Sequence, residues 1–163
     1  MNTVMRSRPN PGVLARADDF LGRFPKSVAL LVLRLAVALP FWKSGLTKWE
    51  GWFQVSDGTK FLFQEEFRLH ILGRQYPYPF PELAAHASAI GEIVLPILLV
   101  IGLGTRFAAL GILLMTALIQ LTVPDGWANF HLPWAAMALA VLTYGPGRLS
   151  VDHWLGRGNS SRA

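Results

Sequence analysis

Three charges stand inside long apolar runs: Arg34 and, nearer its end, Lys43 in the run 27–46, and Glu92 in the run 83–103. A charge in hydrocarbon costs about 2.5 kcal/mol or more even on the mild insertion scale, so such residues are paired or face a cavity. At 1.5 Å per residue, Arg34 lies about 10 Å from the inner end of the first run. Glu92 lies about 16 Å from the inner end of the second run, which returns the opposite way. The gap of about 6 Å in depth is within reach of an extended arginine. The spacing predicts that Arg34 and Glu92 face each other, either as a structural ion pair or as partners for a proton or a ligand headgroup. Lys43 is a rival partner for Glu92, about 8 Å away in depth. Lys48 is expected to snorkel to the outer surface.

A second group of polar residues falls near the outer ends of apolar runs: His86, Gln120, Asp125 and His131. With His70 they could ring one outward-facing pocket. His70, His86 and His131 are weak metal candidates, since their spacing matches no compact ligand motif such as H-E-x-x-H. Ordinary polar contacts between helices are the commoner use of such residues, and the expectation is no metal. At the inner end, Gly145-Pro146-Gly147 stops a helix, and Asp152 is expected to cap a short terminal helix. No phosphate-binding glycine loop, nucleophile elbow or zinc motif is present in the sequence. Enzymatic work by this chain alone has no support in the sequence.

The elements that must position these residues follow from composition. The chain has 163 residues, of which 52% are hydrophobic and 15% charged. Soluble domains carry about 25% charge. Mean hydropathy is +0.36. These values exclude a soluble globular protein, a disordered chain and a coiled coil. They fit an all-α, four-helix transmembrane bundle, with spans at 27–46, 83–103, 106–123 and 131–149. An extra outer amphipathic helix is expected between spans one and two. The division is an N-terminal segment 1–26, a membrane domain 27–149 with an outer insert 47–82, and a tail 150–163.

Within the N-terminal segment, Val13, Leu14, Ala17, Phe20, Leu21 and Phe24 recur at helical spacing. Such a helix would lie on the membrane surface or pack on a partner. Residues 1–11 are polar and do not read as a secretory signal. In the insert, Trp49, Trp52 and Phe53 form an aromatic belt. Residues 59–72 read as a helix with Phe63, Phe67 and His70 on one stripe, and the alternating prolines of 75–81 favour a polyproline-like path. The insert is either a lid on the bilayer or a docking or gating element.

The chain has no cysteine, which removes disulfides, thiolate metal sites and cysteine redox chemistry. Its net charge is +5. The basic residues are spread over ends and loops rather than in a stripe, so nucleic acid is not the expected partner. Arg6, Arg8, Arg16, Arg23, Lys26, Arg106, Arg148, Arg157 and Arg162 share one side if both termini are cytoplasmic. The outer connection 124–130 holds no Lys or Arg. The positive-inside bias therefore predicts cytoplasmic termini.

Three stretches together carry a resemblance. They are Leu33-Arg34-Leu35 with Gly45 and Lys48, Gly91-Glu92 leading through Gly102 to Arg106, and Tyr144 through Asp152. Over residues 28–155 the chain resembles the DoxX family of small four-helix membrane proteins. FRLHILGRQYPYPFPE and TVPDGWANFHLPWA resemble the subgroup found beside bufferin-type metal-stress genes. The resemblance implies a multi-pass protein of the bacterial inner membrane, often tied to redox. One branch resembles the small subunit of a thiosulfate:quinone oxidoreductase. Another is associated with superoxide dismutase and a thiol-transferring enzyme. Two readings follow. The first is a membrane subunit of a redox or stress-response system, binding quinone near Arg34, Lys43, Glu92, His86, Gln120 and His131. The second is a non-catalytic anchor or partner in copper stress. Either implies a soluble or membrane protein partner besides the lipid bilayer.

Overall fold

Pro25 opens the first long helix. Its fixed φ suits a helix start, where its missing N–H leaves no bond unmade. From there the chain runs as α2, Lys26–Leu46. Ahead of it lies α1, Val13–Leu21, in a computed structural model that describes residues 12–156. The charges Arg6, Arg8, Arg157 and Arg162 lie outside the described residues. The helix expected from the 13–24 spacing forms. None of the residues of α1 is buried, so its apolar side is covered by nothing else in the described chain.

Two further long helices follow: α4, Pro81–Ile101, and α5, Thr105–Thr122. With α2 they are long and apolar enough to cross a membrane. Gly102 and Gly104 both take positive φ and turn the chain between α4 and α5 in three residues. A Cβ on Gly102 would overlap the Arg34 side chain and Ser150, so only glycine fits this turn. The last apolar segment starts as a π-turn, Trp127–His131, and continues as α6, Leu132–Tyr144. α6 packs against both α5 and α2, while α4 packs against α2 and α5. The core holds Val37, Phe41, Leu99, Ile112 and Val141. Ala38, Ala108, Ala109 and Ala138 lie among them, small enough to let backbones approach.

The outer insert departs from the single helix expected at 59–72. Ser56 caps a short α3, Asp57–Phe61, which widens into a π-turn, Leu62–Glu66. Phe67 then goes extended, and β1, Arg68–Ile71, pairs antiparallel with β2, Arg74–Pro77. Leu72 and Gly73 make the two-residue turn, both at positive φ (51° and 78°), as the favoured hairpin turn requires. The alternating prolines thus begin in a strand rather than a free polyproline path. Of the aromatic residues expected to form a belt, Trp52 and Phe53 stand almost wholly exposed on the preceding loop, while Trp49 is half-buried and bridges Val55.

The tail beyond α6 also differs in detail. Ser150, not Asp152, caps the short α7, Val151–Trp154, by accepting from the His153 N–H. Asp152 instead accepts from the Gly104 and Thr105 N–H groups, each at 2.8 Å. It caps α5, where the first turn has no acidic residue of its own.

Candidate functional site

The buried charges are paired differently from the sequence expectation. Glu92 is buried on α4 and meets Lys48, with Nζ to Oε2 at 2.6 Å. Ser88, one turn earlier, donates to the other carboxylate oxygen at 3.0 Å. Lys48 also donates to Ser44 at 2.9 Å. The reason Lys48 turns inward rather than snorkelling is Gly45. A Cβ there would sit 2.8 Å from the Glu92 backbone oxygen, so its absence lets α2 and α4 touch. Lys48 then lies one turn away from that contact and reaches the carboxylate.

Arg34 does not approach Glu92. It is fully buried, donates to the Leu149 carbonyl, and feels the charge of Asp152. It therefore ties the segment after α6 to the inner end of the helices. Lys43 is exposed and is not the partner of Glu92. His86 is exposed and bonds the Glu82 carbonyl of its own helix at 2.7 Å. Gln120 and His131 do meet: the buried His131 donates from Nδ1 to Gln120 Oε1 at 2.6 Å. His70 bonds the Leu121 carbonyl at 3.1 Å and fastens the hairpin to the end of α5. The outer histidines thus serve three separate contacts, not one ring. No cluster of three His, Asp or Glu side chains suited to a metal occurs among the described residues.

The Lys48–Glu92 pair forms part of the wall of a cavity of about 330 Å³. The cavity lies between the outer halves of α2, α4 and α5, with Trp134 of α6 on its side. Its other walls are Phe41, Met115, Leu118 and Ile119. Phe63, Phe67 and Tyr78 of the insert close it from outside. Phe63 stacks edge-on with Phe67 at 5.1 Å and with Tyr78 at 5.2 Å. The Tyr78 hydroxyl bonds Thr122 at 2.6 Å, which holds this aromatic cover on α5. Deeper in, Gly91 packs against Met115 and Gly111 against Leu95, so α4 and α5 are close there. Towards the insert, residues of both helices line the cavity. Leu118 lines the cavity and is 51% exposed, so it has one side on the cavity and another on the surface of the span. Volume, apolar walls and a few convergent polar groups are the usual features of a small-molecule site.

The sequence profile of the DoxX family matches residues 29–125, which covers α2, the insert, α4 and α5. The chain belongs to the DoxX family. An uncharacterized protein of Haemophilus influenzae is 31% identical to this DoxX chain over 140 residues, covering 77% of this chain and 82% of the relative. No solved structure matches it. Family and spans together make it a membrane protein in contact with the lipid bilayer. Lys48, Ser44 and Ser88 of the DoxX chain were not among the candidate site residues read from sequence. The signal that finds them is a spacing of four: Ser44 near the end of α2 precedes Lys48 in the turn just beyond it, and Ser88 and Glu92 are four apart on α4.

Proposed function

We propose that this protein is the membrane subunit of a redox or stress-response system and holds a quinone in the outer cavity. The observation that carries the reading is the Lys48–Glu92 pair in the wall of an apolar, aromatic-lined cavity that opens beside the lipid-facing Leu118. A membrane-dissolved molecule with a flat ring and a polar edge suits both features. Phe41, Met115 and Trp134 offer flat or soft apolar walls. Lys48 is the donor available to a carbonyl oxygen, and Ser44 and Ser88 hold the pair in place. When bound, a quinone supplies an acceptor for two electrons and two protons. Lys48 can donate a hydrogen bond to an oxygen in the cavity, and its ion pair with Glu92 fixes the position of the ammonium. The electrons come from a redox protein partner, which this reading requires.

The same reading places the protein in a bacterial inner membrane as a four-helix bundle with cytoplasmic termini. The π-turn Trp127–His131 and α6 run on without a break, and together they approach the length of α5. Arg34, by contrast, is an architectural residue in this reading, and His86 and Lys43 have no part in the site.

Organic extraction of protein purified in mild detergent tests the proposal. The expected result is quinone in near-stoichiometric amount, lost in the Lys48→Met/Glu92→Leu variant. Quinone no higher than in an unrelated membrane protein purified alongside contradicts it. A soluble partner that co-purifies with quinone-free protein would support the anchoring role instead.

A further inference from the structure

A second recess lies on the outer face, a groove of about 450 Å³ between the end of α2 and α3. Lys48, Phe63 and Phe67 line both the groove and the inner cavity. The two spaces are therefore separated by those three side chains. Phe63 is buried, and its edge-on contact with Phe67 closes the boundary. Lys48 is 15% exposed, while Glu92 behind it is 4% exposed. Thr47, Ser56 and Thr59 also line the groove, with the Ser56 and Thr59 hydroxyls bonded to each other and the Thr47 hydroxyl to the Ser44 carbonyl. The inner cavity is bounded mostly by apolar groups and opens near Leu118, whereas the groove is mixed and faces the outer side.

We propose that the site has two mouths with different traffic: an apolar one beside Leu118 for the ligand, and a polar one through the groove for protons. Phe63 and Phe67 are the gate of the polar mouth. Lys48 is the group that links Glu92 to the outer aqueous phase. A proton released to the cavity by the Lys48 ammonium is replaced from the groove, so proton exchange is with the outer side only. The proposal rests on the cavity assignment above, but its test reads access and does not depend on quinone.

The chain has no cysteine, so single cysteines can be placed without altering a background. Gly58→Cys sits in the groove where a Cβ meets nothing within 4 Å. Ser88→Cys sits in the inner cavity. Each is treated with a charged, membrane-impermeant methanethiosulfonate, applied to spheroplasts or to inverted vesicles. The thiolate attacks the reagent's sulfenyl sulfur, forming a mixed disulfide and releasing sulfinate. Gly58→Cys should react quickly from the outer side alone. Ser88→Cys should react slowly from the outer side, at least tenfold faster once Phe63→Ala is added, and not at all from the inner side. Phe67→Leu provides a milder opening, with an intermediate rate, should Phe63→Ala fail to fold. Labelling of Ser88→Cys from the inner side, or a rate indifferent to both gate variants, overturns the proposal. If a short-chain quinone fails to protect Ser88→Cys while the sided, gated labelling persists, the quinone reading fails and the gate stands.

Discussion

Lys48 and Glu92 are nearly buried partners, and the cost of separating them is set by desolvation. Removing one partner of a buried pair typically costs about 3–5 kcal/mol, while replacing both with apolar residues is often near neutral. Lys48→Met alone and Glu92→Leu alone should therefore each lower thermal stability in detergent strongly, and the double variant should regain most of it. Lys43→Met, at an exposed position, should change stability by no more than about 0.5 kcal/mol. Additive losses in the double variant would mean that the pair is not coupled. Sequence reasoning located Glu92 as a buried charge in need of a partner, because its run is otherwise apolar. It chose Arg34 or Lys43 on depth alone. Depth along a helix says nothing about which face a residue occupies, and the close approach at Gly45 that draws Lys48 inward is a property of two helices together.

At the scale of elements, the helix boundaries follow from local chemistry, and the insert is where local chemistry misleads. Pro25, Pro81 and the glycines at 102, 104 and 145 mark starts and stops that composition alone exposes. Phe63 and Phe67 are in ring contact, but they share no helical stripe: the helical segment ends at Glu66 and Phe67 lies beyond it in extended backbone. Leu72 hides the hairpin: the turn needs positive φ, and leucine is a residue that seldom adopts it. Leu72 is 99% exposed and packs on nothing in the described chain. Leu72→Asn should therefore raise stability by about 1 kcal/mol, since asparagine before glycine suits this turn. A lower melting temperature for that variant would show that Leu72 is held by contacts beyond this chain. The cap on α5 gives a second test. Asp152→Ala leaves the Gly104 and Thr105 N–H groups without their acceptor and should cost about 1–2 kcal/mol, with Asp152→Asn losing less. Thermal unfolding in detergent measures both.

Across the whole molecule, polarity divides the two ends of the helices by role. The inner end is closed: Arg34, Leu149, Gly102 and Asp152 knit the tail to the turn between α4 and α5. The opposite end, under the insert, holds the cavity, the ion pair and the aromatic cover. Composition made the membrane character and three of the spans legible, since it is summed over the chain. The cavity was not legible, because its walls come from α2, α4, α5, α6 and the insert together. The most direct test is a titration of the protein in nanodiscs with a short-chain quinone, read by Trp134 quenching with the other tryptophans replaced by phenylalanine. The account predicts saturable quenching, weakened about tenfold or more in the folded Lys48→Met/Glu92→Leu variant, as expected for loss of a charged hydrogen-bond donor. Equal affinity in that variant, or quenching that rises linearly with quinone and never saturates, would contradict it.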